Sequence, residues 1–163
     1  GNHETRGYLA RSLREYFDVE EKIKDRGQFS FLMEKGGRTE HVLGMYRGKK
    51  FYLLRLKNIR ILDRLIHDRP KEYRLLDVSI LNYLILKSVL KLDIENKERI
   101  SFSPQADEFI EKVDGSGDYL AFLLNPVKIQ EIISVALTGE RMPSKSTYFY
   151  PKVISGLLIN RFE

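Results

Sequence analysis

Cysteine is absent from this 163-residue chain. That absence excludes disulfides, thiol nucleophiles and cysteine-ligated zinc, and it suits a reducing cytoplasm. Also missing is any uninterrupted apolar run near the ~20 residues a bilayer crossing requires, so no membrane span is expected. The N-terminal stretch GNHETRGYLARSLREYF is polar from its first residues and lacks the apolar centre of a secretion signal. Histidine is scarce: His3, His41 and His67 share no ligand spacing and enter no recognisable triad. DGSGD at 114–118 alternates Asp114, Ser116 and Asp118, but tyrosine and Asn125 stand where a calcium loop needs glycine and glutamate. It reads as a turn. No metal site and no self-contained catalytic site is expected.

What is present is the balance of a globular domain: 42% hydrophobic and 31% charged residues, in a length that suits one domain spanning 1–163. The charge is unevenly placed. Residues 44–74 hold ten Lys or Arg against Asp63, Asp68 and Glu72, a surplus of seven, while the rest carries eighteen basic against twenty acidic residues. Such a segment attracts phosphates at long range, although the commoner meaning is a solvated face.

Periodicity predicts a helix over 5–17, a short extended piece at FDVEEKI, and a helix over 28–34 that stops at Gly36 and Gly37. HVLGMY and FYLLRLK around RGKK read as a hairpin. Asn58 is placed to cap a helix through His67, and Asp77 opens VSILNYLILKSVLKL, apolar on nearly every side and so central and buried. Its polar breaks, Asn82 and Ser88, need partners if interior. Two similar units follow, each a strand, then a cap-type residue with Pro104 or Pro126, a helix, and a glycine stop at Gly115 or Gly139. ISGLLIN supplies a last strand. The expected fold is α+β: a mixed sheet with an N-terminal hairpin, about five helices packed on it, and a C-terminal strand.

The densest polar stretch is GERMPSKSTYFYPK, residues 139–152. Gly139, Ser144, Lys145 and Ser146 miss the phosphate-loop pattern only by a serine in place of its second glycine. The context excludes that loop: a helix precedes it rather than a strand, Pro143 removes an N–H donor, and Pro151 prevents a following helix. The stretch still offers anion-binding chemistry. Arg141 and Lys145 are cations for phosphate or carboxylate, and Ser144, Ser146 and Thr147 carry hydroxyls. The competing reading staples Met142, Tyr148, Phe149 and Tyr150 onto the core and leaves the charges in water.

LLDVSILNYLIL (75–86), YLAFLLNPVKIQEI (119–132) and above all GERMPSKSTYFYPKVISGLLIN (139–160) resemble the C-terminal part of the uncharacterised domain-of-unknown-function family numbered 1015. HVLGMYRGKKFYLLRLK (41–57) looks like that family's hairpin. The resemblance implies the rear part of a two-part protein. Its front part would be similar to the ParB and sulfiredoxin superfamily, with a Gly-His-His-Arg type motif at a nucleotide site, and some relatives resemble free-serine kinases. GNHETRG is not that motif, so no catalytic base or nucleotide motif carries over to this chain. Asn82 stands where the family is expected to show histidine. Gly1 in place of methionine reads as a tag remnant ahead of a C-terminal fragment.

The resemblance implies that the fragment, inactive alone, packs against its own N-terminal domain and lends the 139–152 loop to a composite nucleotide or small-molecule site. Arg141 and Lys145 would hold a phosphate or carboxylate, Ser146 and Thr147 would add hydrogen bonds, and Tyr148 and Tyr150 would wall the pocket. No cofactor is expected in the fragment; the full-length protein would use ATP or ADP with Mg2+ and a small-molecule substrate. Two other classes stand beside this one. The first is a nucleic-acid module built on 44–74, with Tyr46, Phe51 and Tyr52 as stacking groups, a reading weakened by the core-like alternation of Leu53, Leu54 and Leu56. The second is a purely structural or dimerisation domain, signalled by an exposed apolar patch.

Overall fold

The computed structural model describes residues 2–149 and 153–160, with side chains from residue 7 onward. After helix α1 (Asn2–Tyr16), the chain passes directly into strand β1 (Phe17–Glu20). Helix α2 (Arg26–Thr39) follows, capped by Asp25, whose Oδ1 accepts from the Gln28 N–H at 2.8 Å. Strands β2 (Val42–Arg47) and β3 (Lys50–Leu56) form the hairpin expected from RGKK. Gly48 and Lys49 adopt φ of 57° and 62°, the left-handed pair that matches the twist of an antiparallel ribbon.

Short helices α3 (Ile61–Leu65) and α4 (Lys71–Arg74) lead to α5 (Asp77–Ser79), which continues as a π-helix over Ile80–Val89. Then come β4 (Ile100–Ser103), α6 (Asp107–Gly115), β5 (Leu120–Leu124), α7 (Ile129–Leu137), a 3-10 turn at Ser146–Phe149, and β6 (Ser155–Ile159). The class is α+β with a C-terminal strand. Among the described residues there are seven α-helices, several of them single turns, where about five were expected.

Sheet order is β1-β3-β2-β5-β6-β4. The mixed sheet expected from the sequence is corrected: each pairing among the described residues is antiparallel. β4 and β5 do run in the same direction, but β6 lies between them and opposes both. Helices cover both faces, which explains the misreading. On one side Phe29 and Met33 of α2 and Phe109 and Val113 of α6 pack on Val42, Leu53, Leu123 and Leu158. On the other, Leu9 and Leu13 of α1, the π-helix and Val135 of α7 pack on Leu43, Leu54, Phe122 and Leu157. A strand buried on both faces reads as a continuous apolar run, the pattern usual for parallel sheets. Each such fully buried side chain contributes about 1.5–3 kcal/mol.

Gly36 and Gly37 do not stop α2. A Cβ on Gly36 would lie 2.9 Å from Val42 Cγ1, so the missing side chain lets the helix end settle against β2. Pro104 and Pro126 also sit outside the helices they were expected to open, which begin at Asp107 and Ile129. Gly139 at φ 83° does end α7, as a left-handed residue just past the cap.

Candidate functional site

The central apolar segment is wound more loosely than expected. Its closing bonds, Leu90 N–H to Ile85 O at 2.9 Å and the Ser88 hydroxyl to Tyr83 O at 2.9 Å, both span five residues. In an α-helix of about 100° per residue, positions five apart diverge by about 140°. In a π-helix they share a face, and such segments are frequent at functional sites. Asn82 and Lys87 are five apart, and both face one cleft of 460 Å3.

The same cleft is lined by the start of the polar loop, Gly139 to Ser144, by Arg69 and Tyr73, and by Asp93 to Glu95. Arg69 donates to Glu140 Oε2 at 2.7 Å and lies 5.3 Å over the Tyr73 ring. Tyr73 meets Tyr83 edge-on at 6.5 Å, and Lys87 Nζ sits 4.4 Å from the Tyr83 ring centre. Burial, then a hydrogen bond with Tyr83, pushes the Tyr73 hydroxyl well above the ordinary phenol range, so it stays protonated. Glu140 holds Arg69 in its charged form, first by the hydrogen bond and then by charge.

Asn82 is only 7% exposed, and its Oδ1 is buried without a hydrogen-bond partner. An amide oxygen left so costs about 1–3 kcal/mol. Asn82→Leu is therefore expected to raise stability by about 1 kcal/mol in urea unfolding, a gain bought from whatever the amide serves. An unchanged or lower midpoint would mean that the amide is satisfied.

The loop residues singled out from the sequence divide. Arg141 is exposed on the cleft wall, with no ion pair or hydrogen bond among the described residues. Lys145 is not in the cleft: it turns away through a left-handed residue, φ 70°, to pair with Glu95 at 3.3 Å, and Ser144 donates its hydroxyl to the same carboxylate. Ser146 is buried and gives its hydroxyl to Pro143 O at 2.5 Å, which leaves it no hydrogen for a ligand. Thr147 is exposed outside the cleft. Tyr148 stacks on Phe102 at 5.1 Å and Phe149 is fully buried, so these two do staple the loop to the sheet. Tyr150 lies outside the described residues. Asn82, Tyr83, Lys87, Arg69 and Tyr73 complete the cleft and were not assigned to it from the sequence; the polar break at Asn82 was their one signal.

Ser144, then Lys145, hold the exposed Glu95 carboxyl below the ordinary glutamate range. Because the folded value lies below the unfolded one, this contact adds stability above the unfolded value and loses it as pH falls through the folded one. Ser144→Ala is expected to raise the Glu95 midpoint in an NMR titration; an unmoved midpoint would contradict the hydroxyl's role.

Elsewhere, half of the ten cations of the basic segment are engaged, while the side chains of Lys49, Lys50, Arg60, Arg64 and Lys71 make no ion pair or hydrogen bond among the described residues. Arg55 pairs with Glu20 at 2.8 Å and Glu40 at 3.4 Å, and Arg74 with Asp63 at 3.7 Å. Tyr46 is buried and donates to Asp114 at 2.6 Å, which together with burial pushes its pKa up to about 12, burial being the larger cause. Phe51 stacks on Phe29 at 4.6 Å. Tyr46 is therefore closed to a base, and Phe51 is partly buried with its ring engaged by Phe29 and Tyr46. Among the described residues, no group of three or more His, Cys, Asp or Glu is placed to hold a metal ion, and no helix is long and apolar enough to cross a membrane.

The fold and cleft together define an α+β domain with a polar cleft lined by three cations, Arg69, Lys87 and Arg141, and three carboxylates, Asp93, Glu95 and Glu140. Comparisons with protein-family models, curated proteins and solved structures find no match for this chain.

Proposed function

We propose that the chain is the rear half of a two-part cytoplasmic protein of the family its sequence resembles, and that its cleft completes a composite small-molecule site with a ParB-like front domain. The observation that carries this reading is the shared cleft, which brings together an unpaired guanidinium, Arg141, the unpartnered buried amide oxygen of Asn82, and Lys87 of the same π-helix. Arg141 offers a fork of N–H donors to phosphate or carboxylate oxygens, and Lys87 a point charge. Lys145 and Ser144 act one step back, holding the loop through Glu95.

ATP or ADP with Mg2+, bound mainly by the front half, supplies the transferable phosphoryl group in this reading. Of the cleft's three carboxylates, Glu140 is engaged by Arg69, Glu95 by Ser144 and Lys145, and Asp93 accepts the Glu95 N–H, which leaves Arg141 and Lys87 to meet an anion. In such chemistry the side chains here bind, orient and stabilise charge without making bonds.

A composite site also needs a face for its other half. Helix α7 leads straight into the loop and leaves Ile129, Ile133 and Leu137 exposed at 60%, 53% and 83%, spaced four apart on one stripe. In the proposal the front domain covers this stripe. The test is turnover of ATP or ADP with serine, and with other small hydroxyl and carboxyl acceptors, by the intact protein carrying Arg141→Ala and Lys87→Ala. A fall in kcat/KM of about 100-fold is expected, from two charge-assisted hydrogen bonds at about 1.5 kcal/mol each. Unchanged kinetics in a folded double variant would overturn the proposal.

A further inference from the structure

A second cavity, of 540 Å3, shares no lining residue with the cleft. It lies between α1, the β2–β3 hairpin and the turn after α6, and its size is that of an ordinary small-ligand site. The interior is mainly apolar, with Val19 of β1, Met45 and Tyr52 of the hairpin, and Val113 and Tyr119 on either side of the 114–118 turn.

The charges around it are sorted. Its two carboxylates are already engaged: Glu21 by Arg14, and Asp114 by the Tyr46 hydroxyl. Lys49 and Lys50 are not; both are exposed and make no ion pair or hydrogen bond among the described residues. Lys49 closes the tight two-residue turn of the hairpin and Lys50 is the first residue of β3, so the ammonium groups spring from a fixed backbone beside an apolar chamber. A chamber with an apolar interior and uncommitted cations at one side complements an elongated molecule that is apolar along its body and negative at one end.

We propose that this cavity binds an amphipathic organic monoanion, a medium-chain aliphatic carboxylate, with its chain against Val19, Met45 and Tyr119 and its head at Lys49 and Lys50. The site is independent of the composite site proposed above, and neither stands or falls with the other.

The experiment uses the intact protein with labelled methionine and valine methyls, titrated with decanoate, with decanol as the same body without charge, and with acetate as the charge without a body. Two variants accompany it. Lys49→Asn with Lys50→Gln removes the cations and leaves a residue suited to positive φ, and Ala10→Trp fills the cavity from an exposed position on α1. Decanoate is expected to shift the Met45, Val19 and Val113 methyls saturably, decanol to bind about tenfold more weakly, and acetate to shift none. The lysine variant should weaken decanoate about tenfold and leave decanol unchanged; Ala10→Trp should abolish both. Equal binding of decanoate and decanol, equal binding of decanoate to the lysine variant, or shifts confined to other methyls would overturn the proposal.

Discussion

Gly44→Val is expected to lower stability by about 3 kcal/mol, read as a fall in Tm of about 10 °C for a domain of this size. Gly44 stands in β2, near the middle of the sheet, paired to Leu53 on one side and Leu123 on the other. Phe29 of α2 lies directly over it. A Cβ there would sit 2.8 Å from Phe29 Cε1, closer than real side chains approach, and 3.1 Å from Leu123 Cβ, tighter than most. Neither neighbour is a flexible tip that can swing aside: Phe29 is 2% exposed and stacked on Phe51, and Leu123 is fully buried. The added methyls would force α2 away from the sheet and cost the packing of Met33 as well. Combining Gly44→Ala with Phe29→Leu should recover part of the loss, because the two side chains compete for one volume. A wild-type melting curve for Gly44→Val would show that the helix is not seated as described.

The hairpin, the α+β class and the final strand were legible in the sequence because each rests on a local signal. RGKK between two apolar runs admits a tight turn, and Gly139 marks a helix end by its own backbone freedom. What was not legible depends on partners far along the chain. Gly36 and Gly37 look like a helix stop until Val42 and Asn125 are seen lying against them. The strand order could not be read from β5 and β6, since burial on both faces erases the alternation that assigns a strand to a neighbour. The π-winding of Ile80–Val89 was hidden for the same reason: a segment apolar on nearly every side carries no phase from which its period can be read.

The site follows the same division. Loop composition pointed to Arg141, and Arg141 faces the cleft. It pointed equally to Lys145, whose nearest anion, Glu95, belongs to a distant turn that no local pattern connects to it. Asn82 stood out as a polar break, but it shares a cleft with Lys87 only in a helix that brings residues five apart onto one face.

The second large effect concerns α7. Leu137→Glu, at a position 83% exposed, is expected to leave the chain's own stability within about 0.5 kcal/mol of wild type, as surface changes usually do. If a front domain covers the stripe as proposed, the same substitution in the intact protein would bury a lone carboxylate between the two halves, at several kcal/mol. Turnover should then fall by about 100-fold or more, through loss of the assembled site and with no change in Arg141 or Asn82. Lys at the same position should be as damaging, whereas Leu137→Met should be nearly silent. Full activity of Leu137→Glu in the intact protein would mean that the stripe faces solvent or another partner, and the front domain would have to dock elsewhere.

Backbone hydrogen exchange over 129–149 tests the central proposal most directly, compared between the isolated chain and the intact protein, with and without ATP or ADP and Mg2+. If this chain is half of a shared site, amides of α7 and of the 139–149 loop exchange more slowly in the intact protein, and the loop slows further when nucleotide is added. The same exchange rates in all four samples would contradict it.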